Sequence, residues 1–102
     1  MASASADQVW SVHHHLDHTS EVPTLVIAGR LGVEGAATFR QALAAAAAVH
    51  RHLRLDLSLV DYISSAGLTA LRDAEAGMQA SGGTLSLVAV SDVVQLAFRI
   101  HQ

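Results

Sequence analysis

Apolar residues along this chain recur with two different spacings, and an element ends where one spacing gives way to the other. From Leu53 to Val60 leucine stands at every second position, Leu53, Leu55, Leu57 and Leu59, with Arg54, Asp56 and Ser58 between them. Side chains alternate across a strand, so this spacing predicts a strand with the leucines on a buried face and the polar residues on the other. After Tyr62 and Ile63 the spacing widens: Leu68, Leu71, Ala74 and Met78 fall on one stripe of a helix. The change predicts a helix opening at the pair Ser64 and Ser65. Either hydroxyl can act as the N-cap for a backbone N–H that the first turn leaves unpaired. Gly67 falls in that first turn, where alanine would serve a helix better, which points to a close backbone approach or a special dihedral.

The rest of the chain reads in the same terms. Met1 to Asp7, rich in Ala and Ser, is a loose start. Gln8 to Leu16 reads as a first strand, with Val9, Ser11, His13 and His15 on one face and Trp10, Val12, His14 and Leu16 on the other. Turn chemistry at Asp17 to Ser20 leads to a second strand, Val22 to Ala28, and so short a connection predicts antiparallel pairing. Gly29 to Gly35 reads as a loop, followed by a helix with Ala36, Phe39, Leu43 and Ala46 on one stripe and an end near Val49 or His50. Ser81, Gly82 and Gly83 close the helix that starts at the serine pair. Thr84 to Val90 is the last strand, and Ser91 or Asp92 caps a final helix whose stripe is Val93, Leu96 or Ala97, and Ile100. Strands alternating with helices imply parallel, right-handed crossovers. The expected fold is α/β, with a mixed sheet of about four strands, the first antiparallel and the rest parallel, packed with about three helices.

Composition narrows the function. A chain of 102 residues, 51% apolar and 15% charged, suits one domain over residues 1–102. There is no run of roughly 18 apolar residues to span a bilayer, and the opening residues do not resemble a signal peptide. The sequence contains no cysteine, which excludes disulfides, thiol chemistry and zinc thiolate sites. A cytoplasmic location is the expectation. Six basic residues, all arginine, against a net charge of −3 give no basic stripe for nucleic acid, so a protein partner is favoured over DNA.

Other features are weak as chemistry. Asp56 has no histidine or second carboxylate at a recognisable spacing, and its expected part, with Ser58, is to hydrogen-bond the neighbouring loop and helix start. His13, His14, His15 and His18 lie close together, but no acidic or cysteine residue completes a metal pattern. The alanine run Ala44 to Ala48 reads as small residues packing a helix onto a sheet. Gly29, Gly32 and Gly35 lack the Lys-Ser/Thr that a phosphate loop needs. No cofactor is implied, and a catalytic role has no triad, metal set or cofactor loop to rest on.

The segment Asp56 to Leu71, DLSLVDYISSAGLTAL, resembles the signature of STAS domains of the anti-sigma factor antagonist type. Asp56 and Ser58 fall on the family's Asp and Ser, Ile63 on its Ile or Met, and Gly67 and Leu68 on its Gly-Leu. The expected order of elements covers nearly the whole chain, and Gly29-Arg30-Leu31 matches a weaker landmark after the second strand. By this register Ser65 corresponds to the serine that is the phospho-acceptor in phosphorylatable members, with Asp56, Ser58, Ser64 and Gly67 supporting that site. Gly32 and Ser64 stand where the family often has acidic residues.

The resemblance implies a protein-interaction switch, in which the unphosphorylated form binds an anti-sigma factor with serine kinase activity and a serine phosphatase resets it. A switch residue must touch the partner it controls, so the expected interface is Ile63 to Ala66 with Thr69, Arg72 and Asp73. The alternative is a constitutive STAS subunit docked on the ATPase of a lipid-transport complex. The missing acidic groups at Gly32 and Ser64 favour that alternative modestly. The oligomeric state stays open between a monomer and a homodimer paired through the histidine-bearing first strand.

Overall fold

The computed structural model describes residues 12–100; the readings for the loose start, Trp10 and the opening of the first strand lie outside them. The elements are β1 (Val12–Asp17), β2 (Thr24–Leu31), α1 (Val33–Val49), β3 (His52–Ile63), α2 (Ser65–Ala80), β4 (Thr84–Val90) and α3 (Asp92–Ile100). The strands form one sheet in the order β1-β2-β3-β4, antiparallel between β1 and β2 and parallel thereafter. This is the mixed four-stranded sheet with three helices that the alternating periods predict.

The helices lie on one face of the sheet. Leu25, Ile27 and Leu31 of β2 and Leu55 and Leu57 of β3 form the main core with Phe39 and Leu43 of α1, Leu71 of α2 and Val94 of α3. Full burial of a side chain this large stabilises by about 1.5–3 kcal/mol, so this cluster dominates the fold's stability. The alternate residues Thr24, Val26, Ala28, Arg54 and Asp56 are only half-buried and point to the opposite face. The smallest extent of the molecule, 20 Å, fits a sheet and one helical layer. All four stripe residues expected for α1 are buried, as are Leu68, Leu71 and Met78 on α2.

Hydrogen bonds fix the β1–β2 turn and the connection from α2 to β4. In the turn after β1 the Thr19 N–H donates to the Asp17 carboxylate at 2.9 Å. That bond, first among the causes, holds the Asp17 carboxyl below its ordinary value. At the end of α2 the Gly83 N–H returns to the Met78 carbonyl at 2.7 Å and the Gly82 N–H to that of Gln79 at 3.1 Å. The helix ends at Ser81 to Gly83 as expected, and these two bonds close it as a Schellman motif.

Three expectations are corrected. The loop read over Gly29 to Gly35 is a single residue: β2 continues to Leu31, Gly32 caps, and α1 starts at Val33. Gly35 is buried in the first turn of α1, where a Cβ would collide with the Arg30 carbonyl, so close packing and not a loop explains it.

Leu59 does not share the leucine face; it is 60% exposed while Val60 is buried. The register moves from Val26 opposite Asp56 to Ala28 opposite Leu59, so β3 carries an extra residue there. The Asp56 carboxylate accepts from the Ser58 N–H at 2.9 Å and the Ser58 hydroxyl at 2.6 Å, closing this bulge. Beyond it the pattern inverts. Similarly, Val93, Leu96 and Ile100 of the stripe expected for α3 are exposed; Val94 is the buried residue, with Ala97, the alternative to Leu96 in that stripe, and Phe98 half-buried beside it.

Candidate functional site

The β3–α2 junction resolves the serine pair into two different roles. Ser64 is the N-cap in extended conformation, and its hydroxyl accepts from the Gly67 N–H at 3.3 Å. The same hydroxyl donates to the Leu31 carbonyl at 2.9 Å, as does the Ser64 backbone N–H at 2.9 Å. Ser64 therefore ties the start of α2 to the end of β2. Gly67 permits this approach, since a Cβ there would stand 2.8 Å from the Leu31 carbonyl oxygen and 2.9 Å from Ile63 Cγ1.

Ser65, by contrast, is the first helical residue and is exposed. The first turn of α2 has no acidic side chain. A phosphate on the Ser65 oxygen would stand near unpaired N–H groups and the positive end of the helix dipole, an arrangement that tolerates added negative charge.

The interface residues named from the sequence divide by burial. Ile63 and Ala66 are half-buried and pack on the core, whereas Thr69, Arg72 and Asp73 are exposed along α2. Ser65, Thr69, Arg72 and Asp73 stand at helical spacings of three and four, which gives them one outward stripe. Asp73 is engaged within the chain, its carboxylate 3.0 Å from the Arg40 guanidinium on α1. Arg72 borders a shallow hollow with Leu71, Glu75, Leu87 and Phe98. Asp56 and Ser58 bond each other in the bulge, and neither the helix start nor Ser65 is their partner.

Arg30, Tyr62 and Val33, to which the sequence reading gave no part in the site, join this end of the sheet. Leu31 pairs with Ile63, so Gly32 and Ser64, the caps of α1 and α2, lie side by side. The same register sets Arg30 opposite Tyr62, and the Arg30 guanidinium lies 4.6 Å from the centre of the Tyr62 ring. Tyr62 and Val33 are both exposed next to the two caps. The only sequence signal for this pair was the strand register, which two bulges shift. Among the described residues no group of three His, Cys, Asp or Glu side chains could hold a metal ion. No helix among them is long and apolar enough to cross a membrane.

A two-layer mixed sheet with a capped serine pair at the end of its third strand defines a class of small α/β domains. The family model described as "Mlab, STAS domain" matches residues 14–101, and the chain belongs to the STAS domain family. Its fold is shared with an anti-sigma factor antagonist from Mycobacterium paratuberculosis, with a TM-score of 0.71, 20% identity, and coverage of 88% of this chain and 77% of that one. The unphosphorylated anti-sigma factor antagonist SpoIIAA superposes with a TM-score of 0.68 at 17% identity, over 87% of this chain and 80% of its own. A structure of Mglu shares the fold over 72% of this chain but only 19% of its own length, with a TM-score of 0.64 and 22% identity. No curated protein sequence matches significantly.

Proposed function

We propose that this STAS domain is an anti-sigma factor antagonist that binds an anti-sigma factor with serine kinase activity and is released when Ser65 is phosphorylated. A serine phosphatase would restore the binding form. The observation that carries this reading is the division of labour in the pair: Ser64 is held by Leu31 and Gly67, while Ser65 faces solvent at the head of α2. The exposed stripe Thr69, Arg72 and Asp73 gives the kinase a surface contiguous with its target. Phosphorylation adds a charge of about −1.5 to −2, which a closed interface would have to desolvate, so the complex weakens while the fold persists.

The test is incubation of the purified chain with candidate kinases, ATP and Mg²⁺, read by intact mass and fragment mapping. One phosphate on Ser65, absent from Ser65→Ala, and weaker kinase binding by Ser65→Asp are expected. An active cognate kinase that leaves Ser65 unmodified sinks the switch. A second reading, a constitutive subunit docked on the ATPase of a lipid-transport complex, draws support from the missing acidic groups at Gly32 and Ser64. Co-purification with a transporter ATPase, unaffected by Ser65→Asp, would favour it.

A further inference from the structure

The end of the molecule away from the two caps gathers three histidines. β1 runs antiparallel to β2, so the turn that follows it stands at the start of β2, beside the C-terminal end of α1. His18 is the first residue of that turn and His50 closes α1. Their ring centres lie 5.6 Å apart, with the planes tilted by 53°. His14, from β1, borders the same open hollow of about 370 Å³, whose other walls include Leu16, Leu25, Ala46 and Val49.

The spacing of the two rings suits a shared ion. A histidine nitrogen binds zinc at about 2.0–2.1 Å, which puts the ion about 3.2 Å from the centre of the ring. Two centres 5.6 Å apart therefore match an N–metal–N angle of about 120°, close to the tetrahedral arrangement that zinc prefers. The tilt of the planes is compatible, because each ring can turn about its own metal–nitrogen bond. His18 is exposed and turns without disturbing the core. His50 is half-buried, and its backbone is fixed by an N–H bond to the Ala46 carbonyl at 2.9 Å.

Charge around the pair favours a cation. α1 is 17 residues long and its last turn holds no basic residue, so the partial negative charge of its terminal carbonyls is not offset there. Asp17 directly precedes His18. The Thr19 N–H comes first among the causes that hold the Asp17 carboxyl low, and His15 and His18 contribute less, so this carboxylate stands close enough to act on the imidazoles. Arg51, the residue after His50, borders a different hollow with Met78 and Gly83. Among the described residues no third His, Cys, Asp or Glu completes a metal-binding group. The protein therefore supplies two ligands and water the others. Imidazole selects zinc, copper and nickel, whereas magnesium and calcium require oxygen ligands.

We propose that His18 and His50 form a two-imidazole site for a divalent transition metal ion of the zinc, nickel and copper class, which clamps the turn after β1 to the end of α1. The site is separate from Ser65 and does not depend on phosphorylation. Its two ligands are distant in the sequence and meet only in the folded chain, so an ion held by both must stabilise the fold. The run His13 to His15 is the competing site. Its members are neighbours in the sequence and are available to metal in the unfolded chain as well, so an ion bound there adds little to stability. Stability, not binding alone, therefore distinguishes the two.

The test is thermal unfolding of the full chain over a concentration series of zinc chloride or nickel chloride, with EDTA as the reference. The midpoint should rise with metal, by about 4–8 °C once the ion reaches roughly five times its dissociation constant. His18→Gln and His50→Gln should each lose the rise. His13→Gln with His15→Gln, which removes the competing run, should keep it. A midpoint that rises with neither ion, in the native chain or in that double variant, overturns the proposal. So does a rise that either single variant retains, or one that the substitutions at His13 and His15 abolish.

Discussion

Two adjacent hydroxyls do different work in this chain, and the difference is measurable. Ser64→Ala removes the N-cap acceptor and the bond to the Leu31 carbonyl. It should destabilise by about 0.5 to 2 kcal/mol, the range for loss of a capping side chain. Ser65→Ala alters only an exposed group and should stay within about 0.5 kcal/mol of the native chain. Urea unfolding of the pair checks this; equal losses would mean that Ser65 shares the capping role. Gly67→Ala, in the same turn, must push a methyl against the Leu31 carbonyl and Ile63. Overpacking of that kind costs about 1–3 kcal/mol, which outweighs the gain in helix propensity of roughly 1 kcal/mol that alanine offers over glycine. A lower urea midpoint with the slope unchanged is the expected result. From sequence, the family resemblance set Ser65 apart as the phospho-acceptor, but which of the two hydroxyls caps the helix stayed open. The bond that divides it joins Ser64 to Leu31, 33 residues away.

At the scale of elements, periodicity located every strand and helix among the described residues, yet it misassigned faces where the backbone breaks step. Leucine at every second position from Leu53 reads as one face, but the Asp56–Ser58 bulge inserts a residue and sends Leu59 outward. Asp-x-Ser was visible as a motif; its effect on the alternation was not, because the same residues close a bulge or hydrogen-bond a loop equally well. In α3 two apolar stripes, Val93-Leu96-Ile100 and Val94-Ala97-Phe98, both fit the helical period, and only packing against the sheet decides which one is buried. The glycines from Gly29 to Gly35 suggested a loop by composition, whereas Gly35 is there because the helix passes close to Arg30. The inverted pattern in β3 gives a direct test. Leu57→Ala opens a cavity in the core and should cost about 2–5 kcal/mol, while Leu59→Ala removes an exposed side chain and should cost no more than about 0.5 kcal/mol. Thermal or urea midpoints for the two leucines, two residues apart, would be indistinguishable if the alternation ran unbroken.

The molecule as a whole separates its two candidate sites by element. The caps Gly32 and Ser64, with Ser65, Tyr62 and Val33 beside them, stand at the C-terminal ends of β2 and β3. The exposed apolar residues of β4 and α3, Leu87, Val88, Val93, Leu96 and Ile100, belong to other elements. The His18–His50 pair stands at the opposite end of the sheet, after β1 and at the close of α1. If the readings of both sites hold, phosphorylation and metal binding act through different residues and can be uncoupled. The variant His18→Gln with His50→Gln should lose the rise in midpoint with zinc and still accept phosphate at Ser65, with kcat/KM within about twofold of the native chain, an energy difference of roughly 0.4 kcal/mol. Conversely, Ser65→Asp should weaken kinase binding and leave the midpoint shift with zinc where it was. The substitutions act on separate elements with no shared partner, so their effects should add. A kinase assay and thermal unfolding with zinc on the two variants and their combination decide the matter. Loss of phosphorylation in the histidine variant would show that the kinase reads both ends of the sheet, and that the turn after β1 and the head of α2 form one working surface.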